Sequence, residues 1–264
     1  MIYKHRTLFY KGAVLLFLAV CPTFARGAYI AESVFDRFIM REILQNNLMD
    51  VSDANLEKIT RGAENGNADA CYKMAIISYI VCFWVEKDDG SAFMDMHRFF
   101  ADAAKQNHIK AKYCLCWLDI LGALADNKAG TPELKKAMAA VVKQCQALAD
   151  AGLDVAQYST GMFYYNGEWV TEDAFKAEKY FRMAADQGLA EGQYGLALCS
   201  IDDKKAFEWF LKSAKQDFPI AQYELGCMYR DGTGVAKNRS EAERWLRKAA
   251  EQKYQKAKDA LNSL

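Results

Sequence analysis

A 36-residue block occurs twice in this chain, and internal repetition constrains a fold more than any other feature of a sequence. Residues 154–189 read DVAQYSTGMFYYNGEWVTEDAFKAEKYFRMAADQGL, and residues 219–254 read PIAQYELGCMYRDGTGVAKNRSEAERWLRKAAEQKY. Thirteen of the 36 aligned positions are identical, where about two would follow from ordinary residue usage. The matches include Tyr158/Tyr223, Gly161/Gly226, Gly167/Gly232, Ala177/Ala242 and the alanine pairs Ala184-Ala185 and Ala249-Ala250. Residues 190–218 form a third copy that is seven residues shorter, and the missing residues fall after Ser200, where the other copies carry their glycine turn. Longer, fainter copies lie upstream, at about 69–109 and 110–153.

Each block reads as a hairpin of two helices. Ala221, Leu225 and Met228 fall at i, i+4 and i+7, one helical stripe; Ala242, Trp245, Leu246 and Ala249 form the second stripe. Gly226 stands where a side chain would hold a neighbouring helix away, and Gly232 and Gly234 supply a permissive turn. Gly152 and Gly188 follow helical runs and can close them in the left-handed conformation. One hairpin cannot bury its apolar face alone, so the blocks must stack. With only three prolines in 264 residues and abundant Ala, Leu, Lys, Glu and Gln, nothing competes with helix. The fold class is therefore all-α.

These residues carry a resemblance. AQYELGCMYRDGTGV followed by SEAERWLRKAAEQ is similar to the Sel-one-like repeat family, relatives of the tetratricopeptide repeat. Residues 219–254 follow that family's pattern almost throughout, and residues 154–189 follow it with Trp169 in place of the second turn glycine. Residues 190–218 fit with a shortened turn, and residues 69–153 fit weakly because insertions lie between their helices. The resemblance implies a right-handed α/α superhelix, a tetratricopeptide-like solenoid, acting as scaffold or adaptor. It implies no catalytic residues.

The organisation expected is a signal peptide over 1–25, an N-terminal helical cap over 26–54, and a solenoid over 55–264 that ends in a closing helix over 255–264. The first segment has Lys4, Arg6 and Lys11, then a nine-residue apolar run from Ala13 to Cys21, then Pro22 and the small residues Thr23 and Ala25. That is the anatomy of a secretory leader, with cleavage after Ala25 or Gly27. Nine apolar residues fall short of the roughly 20 that span a bilayer. A buried N-terminal helix is the alternative, as is a lipoprotein using Cys21, against which the bulk of Val20 speaks. A secreted or periplasmic location follows, without stable membrane insertion once the leader is removed.

Charge and chemistry narrow the function. Lys and Arg number 34, as do Asp and Glu, so no basic surplus points to nucleic acid. Seven cysteines follow the leader, an odd number; export permits disulfides, and a bridge from Cys114 or Cys116 to Cys145 is one option beside free core thiols. His97 and His108 are eleven apart and no C-x-x-C occurs, so no metal site is expected. S-x-x-K, G-x-S-x-G and H-E-x-x-H are all absent, and no cofactor is implied. Gly232-Thr233-Gly234 lacks the G-K-[ST] of a phosphate loop.

The reading that results is a non-catalytic exported repeat scaffold that binds a protein or peptide partner. Two alternatives remain: a relative with penicillin-binding or β-lactamase activity, and a binder of cell-wall components. Repeat arrays carry specificity at variable surface positions. Off the core stripe of the first helices these are Ser159, Met162, Asn166, Leu198, Glu224 and Asp231.

Overall fold

In the computed structural model the described residues are 37–43, 45, 46, 48, 52–84, 91–125, 132–167 and 169–264. The expected leader and most of the expected cap lie outside them. Every regular element among the described residues is a helix, so the chain is all-α. It divides into two compact units, Met1–Ala129 and Gly130–Leu264.

The first unit contains a helical stretch over 37–43 and then α1 (Asp53–Glu64), α2 (Ala68–Trp84), α3 (Ser91–Lys105) and α4 (Ile109–Ala125). Within this unit α1 packs on α2, α2 on α3 and α3 on α4. Tyr72 stacks on His108 with ring centroids 4.3 Å apart, and Phe38 meets Tyr113 edge-on at 5.2 Å. A fully buried carboxylate, Glu42, sits in this core and accepts both oxygens' worth of hydrogen bonds from the Lys110 ammonium, at 2.7 and 2.9 Å.

The second unit is a solenoid of stacked hairpins: α5 (Pro132–Asp150), α6 (Asp154–Asn166), α7 (Ala174–Asp186), α8 (Ala190–Cys199), α9 (Asp203–Lys215), α10 (Pro219–Asp231), α11 (Arg239–Glu251) and α12 (Gln255–Asn262). Neighbours in sequence are neighbours in space, and α8 also packs on α6, first helix against first helix. The three repeats are thus α6/α7, α8/α9 and α10/α11.

The same local chemistry starts and stops each hairpin. Asp173, Asp202 and Asn238 cap the second helices, their side chains accepting from the backbone N–H of Lys176, Lys204 and Glu241 at 3.0, 2.9 and 3.1 Å. At the other end, Gly188 lies at φ 86°, donating to the Ala185 carbonyl while Leu189 donates to that of Ala184. This is the paired closure that satisfies a helix's last carbonyls. Gly152 does the same at φ 96°, and Asp217 and Lys253 reach the left-handed region without being glycine, at φ 58° and 66°.

A glutamine pair ties each hairpin further. Gln157, Gln193 and Gln222 lie buried on the first helices. Each accepts from a glutamine that follows the second helix: Gln187 at 2.7 Å, Gln216 at 2.9 Å and Gln252 at 2.9 Å. Gln157 and Gln222 also donate to the Ala149 and Ala214 carbonyls of the preceding helix. A buried amide is tolerated only with such partners. Cys71, Cys114, Cys145, Cys199 and Cys227 are free thiols, so the bridge considered for Cys145 is not made.

Candidate functional site

The first-helix positions expected to face a partner fall into three registers, and the structure treats them differently. Ser159 and Glu224 share one register, Met162 and Leu198 the next, Asn166 and Asp231 the third. Ser159 is not on the surface: it is buried, and its hydroxyl donates to the Val155 carbonyl four residues back at 2.9 Å. A short hydroxyl that can satisfy itself on its own helix is free to enter the core. Met162 is half-buried, and so is Leu198, which leans on the apolar core around Phe210 and Phe218. Only Asn166 and Asp231 are exposed.

Glu224 is half-buried. Burial pushes its carboxyl above the ordinary value, with Lys256 acting in the opposite sense. Glu224 in turn joins burial in raising the phenol of Tyr194, and Tyr254 and Tyr165 add to it. Asp231 is already engaged, taking two 2.8 Å hydrogen bonds from Arg230 Nε and Nη2, which hold its carboxyl below the usual range. The first-helix row is therefore a mixture of core and surface rather than one continuous binding strip.

A second surface lies at the shortened turn. Ser200, Ile201 and Asp202 connect α8 to α9, and Ile201 is fully exposed, at 101%. Phe175, in the first turn of α7, is 89% exposed. Isolated apolar side chains are common on surfaces, but Ile201 lines a groove of about 280 Å³, and Phe175 stands one helical turn before Glu178, which lines it too. One wall is α7, where Phe175, Glu178 and Arg182 follow each other at i, i+3 and i+7; Glu178 and Arg182 line the groove. The other wall is α9, with Lys205 and Trp209, and the floor is the end of α8, with Leu196 and Cys199.

The groove's charges are mutually balanced. Arg182 pairs with Glu178 at 2.7 Å, Asp202 is occupied as a helix cap, and the Lys212 ammonium lies 3.9 Å from the centre of the Trp209 ring. Burial, with Glu178 nearby, pushes the Cys199 thiol up to about 11. It is a neutral thiol at physiological pH, not a nucleophile. Among the described residues no cluster of histidine, cysteine and carboxylate could hold a metal ion. The arrangement offers apolar contact and shape. The signal that could have located it in the sequence is the deletion itself, together with an isoleucine in the connection that remains.

The family comparison agrees with the assignment of three repeats. The family model for the Sel1 repeat matches residues 154–189, 190–218 and 219–254. A chitin synthase regulator of Saccharomyces cerevisiae, SKT5, is 24% identical over 76% of this chain and 30% of its own length. HRD3B of Arabidopsis thaliana, a component of an ERAD-associated E3 ubiquitin-protein ligase, is 35% identical over 34% of this chain and 15% of its own length. The chain thus spans less than a third of either relative. A solved Sel1 repeat protein from Oxalobacter formigenes is 36% identical over 46% of this chain and 97% of its own, with a TM-score of 0.41. No helix among the described residues is long and apolar enough to cross a membrane. Residues 154–254 of this chain are three Sel1 repeats.

Proposed function

We propose that this chain is a non-catalytic scaffold or adaptor that is exported and then binds a protein or peptide partner. The observation that carries the reading is a stacked helical array that holds two large apolar side chains, Phe175 and Ile201, out in solvent, with Ile201 on the lining of a groove. Apolar anchors held on regular helices are what protein interfaces use as their energetic centres. The relatives named as a synthase regulator and a ligase component work in company with other proteins, and this supports the same reading. Export rests on the leader-like start of the sequence, Lys4 to Ala25.

Two measurements test it. N-terminal sequencing of the protein recovered outside the cytoplasm should begin at Arg26 or Ala28; an intact Met1 in the soluble cytoplasmic fraction would remove the export element. Cross-linked capture from the envelope fraction should retain a partner at defined stoichiometry. Incubation with labelled penicillin should leave the chain unlabelled and the drug intact; turnover or acylation would replace the scaffold reading with an enzymatic one.

A further inference from the structure

The three repeats differ most in the connection between their helices. In the third repeat, that connection folds back over the preceding repeat. A Cβ placed on Gly234 would stand 2.2 Å from the Asp203 carbonyl oxygen, 2.6 Å from its carbon and 3.1 Å from the Lys204 nitrogen. Asp203 is the first residue of α9. The third repeat's turn is therefore seated on the N-terminal end of the second repeat's second helix, at a distance that only a glycine permits.

Stacking repeats reuse the same contact one unit along. Asp203 corresponds in register to Ala174, the first residue of α7. The second repeat's own turn would sit there, but that connection is seven residues shorter than in either neighbour. Ala174 and Phe175 are left exposed, and Ile201, in the shortened connection, stands in solvent on the lining of the groove that α7 enters through Glu178 and Arg182.

We propose that this uncovered end of α7, with the adjoining groove, binds a turn segment of a partner protein and so completes the second repeat in trans. This deepens the scaffold reading and rests on it. The chemistry of the segment follows from the template next door. It presents a glycine to the end of α7, because the equivalent seat on α9 leaves no room for a Cβ. It places an aliphatic side chain between Phe175 and Ile201. It carries little net charge, because Glu178 and Asp202 are matched by Arg182 and Lys205 around the groove. The chain's own Gly232-Thr233-Gly234-Val235 meets all three requirements.

The probe is therefore a capped peptide with the sequence of residues 231–237, DGTGVAK, titrated into the isotopically labelled full chain and followed by NMR. Binding by so short a segment should be weak, with a Kd of roughly 0.1–1 mM. The shift changes should be confined to the start of α7 and to residues 199–205. A peptide with both glycines replaced by valine should bind at least tenfold more weakly. Two variants close the seat: one inserts the third repeat's turn after Ser200, and the other combines Phe175→Asp with Ile201→Asp. Phe175 and Ile201 are exposed, so the second variant should fold even if the insertion does not, and either should abolish the shifts.

Shifts elsewhere, shifts that survive in the variants, equal binding of the valine peptide, or no shifts at millimolar peptide would each overturn the proposal. Self-association of the chain that disappears in the variants would also overturn it, by giving the seat to a second copy. Capture of an envelope partner separates the two levels. Capture that persists unchanged in both variants overturns this seat and leaves the scaffold reading standing, whereas no capture by the unaltered chain overturns the scaffold reading itself.

Discussion

The Phe181 ring tests the stacking of α6, α7 and α8 more directly than any other side chain. It is fully buried, and glycines of two first helices hold it from two sides. A Cβ on Gly161 of α6 would lie 2.6 Å from ring carbons Cδ1 and Cε1; a Cβ on Gly195 of α8 would lie 2.3 Å from Cδ1 and 2.4 Å from Cγ. Carbon atoms rest at about 3.5–4.0 Å, so a methyl group on Gly195 must displace the ring by more than an ångström, towards Gly161. Overpacking of this kind costs about 1–3 kcal/mol. A displacement that large belongs at the upper end, about 2–3 kcal/mol; replacing a mid-helix glycine by alanine returns up to about 1 kcal/mol of helix propensity, so Gly195→Ala should be destabilising by roughly 1–2 kcal/mol. In urea, with m of about 2 kcal/mol/M, the midpoint should fall by about 0.5–1 M at constant m. Gly161→Ala, with more room, should cost less. Phe181→Leu makes space, so Gly195→Ala in that background should turn neutral or stabilising, a coupling that independent sites do not show. If Gly195→Ala stabilises the unaltered chain by the full propensity term, α8 does not rest on Phe181 and the assigned repeat register is wrong.

Three other perturbations have clear signs. Lys110→Met leaves the fully buried Glu42 carboxylate without its cation and should cost about 3–5 kcal/mol, most of it recovered when Glu42→Leu is added; an urea midpoint that barely moves would show that the pair is solvated. Burial raises the Glu224 carboxyl above its unfolded value of 4.5, so the folded state holds the proton more tightly. Its contribution is fully present below pH 4.5 and is lost as pH rises through the folded value; Glu224→Gln should therefore stabilise at neutral pH, with the two stability curves converging in acid, and parallel curves would refute the assignment. Cys199, with its thiol near 11, should be alkylated at pH 8 on the order of a hundredfold more slowly than a free cysteine, as read by timed mass spectrometry; a rate equal to that of free cysteine would place it outside the groove floor.

How far the sequence could be read depends on whether a feature is enforced within one repeat or between two. The helical stripes, the alanine pairs and the closing glycines Gly152 and Gly188 recur because each hairpin must solve the same local problem, and local periodicity exposes them. The glutamine pairs were visible as recurring letters, but their meaning spans some 30 residues, as between Gln157 and Gln187, and a recurring Gln alone does not say that it is buried. The surface row failed for a related reason. Ser159, Gly195 and Glu224 share one register, yet one is a buried hydroxyl, one is pressed against Phe181 and one is a half-buried acid. Which side of the helix is covered at that register depends on the size of the neighbour's side chains, which no single repeat records. The same holds for the groove. The missing residues after Ser200 were plain in the sequence, but loop deletions cost a fold little by themselves. Only the contact of Gly234 with Asp203 shows that a full-length turn covers the adjacent repeat, and hence that a deletion in one repeat uncovers the helix of the repeat before it.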